Sequence, residues 1–88
     1  MGDKEDFQHC THKFIELANE LKENGLGPPM ISAALMSASG IYATYVAAGN
    51  EGGLNPSGVE KVVENYRRQL EYIQQRKRET AQEKKDAG

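Results

Sequence analysis

Apolar side chains fall at Phe7, Cys10, Phe14, Leu17 and Leu21, spacings of three and four that place them on one face of a helix, with Ala18 widening the stripe. Lys13, Glu16, Glu20 and Lys22 lie largely outside it. The pattern stops at NGLGPP: Gly25 suits a left-handed C-cap, and Pro28-Pro29 fit only the first turn of a following helix. A first helix is predicted over residues 6–24.

The next stretch, MISAALMSASGIYATYVAAG from Met30 to Gly49, carries no charge. Ile31, Leu35, Ala38, Tyr42 and Tyr45 form one stripe, and Ala34, Ile41 and Ala48 broaden it. Ser37, Gly40, Ala43 and Ala47 supply small residues where another backbone can approach closely. The predicted helix covers residues 29–48. A membrane span needs roughly 20 predominantly apolar residues, so the length fits. However, Ser32, Ser37, Ser39, Gly40, Tyr42, Thr44 and Tyr45 make the stretch only mildly apolar, and neither end has a basic flank. The expectation is therefore no membrane span but a central helix covered on most sides, with the stripe from Ile31 to Tyr45 carrying the intramolecular core. A helix with no polar face also hints at oligomerisation or a bound partner.

The segment GNEGGLNPSG is turn chemistry. Ser57 and Glu60 have the spacing of a capping box, and Val59, Val62, Val63, Tyr66, Leu70 and Ile73 continue at helical spacing. Glu64 and Arg68 make a favourable i, i+4 pair. After Ile73 nothing larger than Ala is available to bury, although helical propensity persists to Lys85. A third helix is predicted over residues 56–80. The short connections imply an all-α, three-helix antiparallel bundle, with residues 1–75 as one helical domain and 76–88 as a charged helical extension or disordered tail.

Composition sharpens this picture. A chain of 88 residues is one domain at most and buries only about 60% of its unfolded surface. With two Phe, four Tyr and no Trp, its core is thin, so self-association is a natural supplement. The net charge of -2 gives no overall attraction to nucleic acid or anionic lipid. Charge is nevertheless polarised: residues 1–55 hold seven acidic and three basic side chains, net -4, while residues 56–88 hold six acidic and eight basic, net +2. The single Cys10 excludes an intramolecular disulfide, and the acidic N-terminal segment has no apolar signal core. Both favour a cytoplasmic setting. Met1-Gly2 suggests myristoylation, but Asp6 stands where that pattern wants Ser or Thr.

Candidate chemistry is sparse. His9, His12 and Glu16 share a helix side and are the weak metal-ligand candidates, yet no second E-x-x-H element accompanies them. Cys10 near a helix start invites a thiolate reading, while its seam position suggests a small buried hydrophobe. The glycine-rich loop lacks the Lys of a phosphate-binding loop. Tyrosines 42, 45, 66 and 72 could line a groove, with core packing as their default role. Arg67, Arg76, Lys77 and Arg78 form the best basic surface, but acidic residues interleave with them and no aromatic follows Tyr72 for base stacking. No catalytic or cofactor-binding residue is assigned, no cofactor is expected, and an enzyme is not favoured.

In FIELANELK (Phe14 to Lys22), ISAALMSAS (Ile31 to Ser39) and the Tyr66-Arg67 helix with Leu70, the chain resembles a bacterial family classed as domain of unknown function 3144, over roughly residues 7–75. The resemblance implies a small helical protein with no established site residues. The expected function is a non-catalytic protein–protein interaction module that self-associates as a dimer through Ser37, Gly40, Ala43 and Ala47. An accessory nucleic-acid-binding protein using the basic C-terminal helix is the alternative.

Overall fold

The computed structural model describes residues 2–87. It is all-α, with three helices, α1 (Asp3–Glu23), α2 (Pro28–Ala48) and α3 (Pro56–Ala87), and no strand among the described residues.

Each helix end has a local cause. Asp3, Glu5 and Asp6 occupy the first turn of α1, where carboxylates favour the positive end of the helix dipole. This explains a start three residues earlier than the apolar stripe alone predicts. At its other end, Leu26 N–H donates to the Leu21 carbonyl (3.1 Å) and Gly25 N–H to the Lys22 carbonyl (3.0 Å). Gly25 has φ +100°. These are the two bonds and the left-handed residue of a Schellman motif, which satisfies carbonyls that the helix leaves open. After α2, Gly49 takes φ +78°. At Gly52 a Cβ would collide with the carbonyl oxygen of Ala48, so that turn requires glycine.

The start of α3 corrects one expectation. Asn55, rather than Ser57, is its N-cap: the Asn55 Oδ1 accepts the Gly58 N–H (2.8 Å) and the Ser57 hydroxyl (2.9 Å). Pro56 fixes the first helical position because its missing N–H is one that a helix start leaves unbonded anyway. The cap must therefore precede it. Asn55→Ala is expected to cost about 1 kcal/mol, read as a lower midpoint in urea or thermal unfolding; no change would mean that the cap is redundant.

The third helix continues without a break to Ala87, beyond its last large apolar residue. Side-chain pairs one turn apart sustain it: Arg76 with Glu79 at 3.2 Å, the Gln75 amide to Glu79 at 3.3 Å, and the Gln82 amide to Asp86 at 3.0 Å. Each exposed pair of this kind contributes a few tenths of a kcal/mol, roughly 0.2–0.5.

The chain divides within α2 into two units, Met1–Tyr42 and Ala43–Gly88. In the first, cover is concentrated near the α1–α2 turn: Ile31 is the one buried residue among those described, at 8% exposure, while Ala18 and Leu21 are half-buried. In the second, half-buried positions gather about the α2–α3 connection at Ala43, Thr44, Ala48, Leu54, Gly58 and Val62.

This distribution corrects the core inferred from periodicity. Of the stripe on α2, Ile31 alone is buried; Leu35, Ala38, Tyr42 and Tyr45 are exposed, Tyr42 at 67%. Tyr66 and Tyr72 are exposed as well, and so is Cys10. The physical reason is that a helical period identifies which residues share a face. It does not supply the surface that covers them.

Candidate interaction surface

The small residues proposed from sequence lie along one unbroken helix. Positions 37, 40, 43 and 47 fall within about a third of the α2 circumference at 100° per residue. Ser37, Gly40 and Ala47 are exposed and Ala43 is half-buried. A Cβ built on Gly40 meets nothing within 4 Å. Glycine inside a helix costs roughly 1 kcal/mol relative to alanine, and no steric demand within the chain explains it here. The surrounding helix is uncharged: the first turn contains no acidic residue, the last no basic one, and Met30, Met36, Ile41 and Val46 have most of their surface exposed, Met36 within the same third of the circumference as the small residues. By length and composition α2 is the one helix among the described residues able to cross a membrane.

The other two helices also expose apolar residues. On α1, Phe7, Phe14 and Leu17 are exposed, Phe14 at 63%; on α3, Val59, Val63, Tyr66, Leu70 and Ile73 are exposed. Soluble monomers rarely display contiguous apolar patches of more than a few hundred Å². Three helices in succession with uncovered apolar faces constitute the dominant surface feature of this chain. The sequence pattern marked these residues as apolar stripes but assigned them to an internal core; the signal for a surface role was the surplus of stripes over a chain this short.

The other candidates do not converge. The His12 Nε2 stands 3.1 Å from Glu16 Oε1, and Lys13 Nζ is 3.5 Å from Glu16 Oε2. Both carboxylate oxygens of Glu16 therefore serve neighbours on its own helix. Among the described residues no group of three His, Cys, Asp or Glu side chains is placed to hold a metal ion, so His9, His12 and Glu16 are not brought together as a ligand set. The basic surface is partly neutralised. Arg67 and Arg68 both reach Glu64, at 3.4 and 3.5 Å, and Arg76 reaches Glu79. Lys77 and Arg78 lie on the same turn, leaving a small basic cluster rather than a continuous stripe.

The chain is all-α, and each of its three helices exposes large apolar side chains. No family model matches the chain, no curated protein matches its sequence, and no solved structure matches it.

Proposed function

We propose that this protein is a non-catalytic self-association module, a cytoplasmic homodimer in which α2 packs against α2 of a second copy through Ser37, Gly40, Ala43 and Ala47. The observation that carries this reading is the exposure of nearly every large apolar side chain on α2, a helix with no charged face. Burial of such surface is worth roughly 25 cal/mol per Å², and a second copy offers the same apolar surface in return. A two-fold dimer is the simplest closed arrangement of identical patches. Small residues at the crossing allow the two backbones to approach closely, which gives the exposed Gly40 a purpose.

Insertion of α2 in a bilayer would also cover it, and its length favours that outcome. The self-association reading is preferred because three serines and a threonine interrupt the helix, no cationic anchors flank it, and the stripes on α1 and α3 would remain unexplained. The resemblance to domain of unknown function 3144 rests on short strings and points to no site. The nucleic-acid alternative rests on Arg67, Arg76, Lys77 and Arg78, and Arg67 and Arg76 are already paired with Glu64 and Glu79. Phosphate binding requires uncompensated cations and weakens steeply with salt.

Amide hydrogen exchange over residues 31–48 tests the reading. A dimer protects these amides, with protection that grows with protein concentration; rapid, concentration-independent exchange would remove it. In parallel, flotation with neutral and anionic vesicles should leave the protein in the lower fraction, and co-flotation would favour the bilayer. Titration with DNA and RNA at low salt is expected to be flat, whereas saturable binding with a steep salt slope would favour the alternative.

A further inference from the structure

The faces left open on α1 and α3 match one another. Along α1 the apolar positions Phe7, Cys10, Phe14, Leu17 and Leu21 are separated by three, four, three and four residues. Along α3 the positions Ile73, Leu70, Tyr66, Val63 and Val59, read backwards, have the same separations. This is the spacing of a coiled-coil seam. We propose that α1 of one copy pairs antiparallel with α3 of a second copy, in layers Phe7–Ile73, Cys10–Leu70, Phe14–Tyr66, Leu17–Val63 and Leu21–Val59. The pairing deepens the self-association reading and rests on it, adding contacts outside α2.

Three observations select this occupant and this direction. First, nine of the ten seam residues are exposed in the chain itself, Leu21 being half-buried, so the seams await cover. Second, the helices are complementary in charge. Asp3–Glu23 contains six acidic and three basic side chains, 3 − 6 = −3, and Pro56–Ala87 contains six acidic and eight basic, 8 − 6 = +2. Third, the ends of the seam agree only when the helices run in opposite directions. One layer beyond Phe7–Ile73, the antiparallel register sets Asp3 opposite Lys77, and Asp6 flanks Arg76. A parallel register that aligns Phe7 with Val63 sets Leu21 against Lys77 and Asp3 against Val59, placing a charge on an apolar residue at both ends. Flanking and terminal charges fix orientation and partner choice in such seams.

The lone cysteine makes the register measurable. In the antiparallel seam Cys10 faces Leu70, and in the parallel one it faces Tyr66. Leu70→Cys and Tyr66→Cys are each introduced into the full chain and oxidised with a glutathione redox buffer, and products are resolved without reductant and mapped by peptide mass spectrometry. The expected result is a covalent dimer linking position 10 of one copy to position 70 of the other, at least tenfold more abundant for Leu70→Cys than for Tyr66→Cys. It should be lost when Cys10→Ser is added.

Preferential linkage through position 66, or a link within one chain, overturns the pairing. Light scattering on the reduced variants separates the two levels of the proposal. A dimer that yields no link between positions 10 and 70 sinks the α1–α3 pairing while leaving self-association standing. A monomer sinks both.

Discussion

Gly40→Glu is expected to convert the proposed dimer to monomers without loss of helix. Glutamate is a better helix former than glycine by several tenths of a kcal/mol, and a Cβ at position 40 meets nothing within the chain. The isolated helix therefore has no reason to resist the substitution. In the proposed contact the added carboxylate is instead driven against an apolar helix, and its counterpart on the second copy faces it. Leaving a charge buried and unpaired costs about 3–5 kcal/mol, and each dimer contains two. Loosening of at least a hundredfold follows from the lower figure alone. Light scattering should report the monomer mass at concentrations where the parent is dimeric, with far-UV circular dichroism unchanged or stronger. Ala43→Glu should behave alike, although Ala43 is half-buried and could also perturb the chain locally. A dimer surviving both substitutions removes these residues from the interface.

Phe14→Ala separates a covered seam from an open one. With 63% of its surface exposed in the single chain, Phe14 contributes little there, and truncation of such a surface residue ordinarily changes stability by no more than about 0.5 kcal/mol. In the proposed layer with Tyr66 of a second copy, the same truncation removes a buried aromatic, a loss of about 3–5 kcal/mol. Unfolding by urea, followed across a range of protein concentrations, distinguishes the two. A large drop in midpoint with strong concentration dependence in the parent supports the seam; a drop within the surface range shows that Phe14 stays in water.

Much of the secondary structure was legible because its signals are local. The Gly25 N–H closes α1 on the carbonyl three residues back and the Leu26 N–H on the one five residues back, and Pro28-Pro29 open α2 within four residues of that stop. The Asn55 cap was missed: the Ser57–Glu60 spacing drew attention two residues downstream, although Pro56 at the first helical position points to the residue before it. The extent of α3 was harder to see, because its last turns depend on many weak pairs such as Gln75–Glu79 and Gln82–Asp86 rather than on a buried stripe. The covering of the apolar faces was not legible at all. Leu35, Tyr45 and Cys10 fit a seam equally well whether the opposing surface belongs to the same chain or another. Periodicity is a property of one helix, whereas burial is a property of what lies across from it. The small-residue contact on α2 was named from sequence alone; what exposure adds is that residues with the spacing of a core stand in solvent.

The most direct test of self-association is absolute mass by light scattering across a concentration series, for the full chain and for a version ending at Gln75. Both are predicted to be dimers, because the seams and the small-residue face of α2 lie before that point. A monomer in both, at every concentration, would contradict the account: the outward apolar faces would then tolerate water unaided, and neither the α2 contact nor the α1–α3 pairing would have a partner.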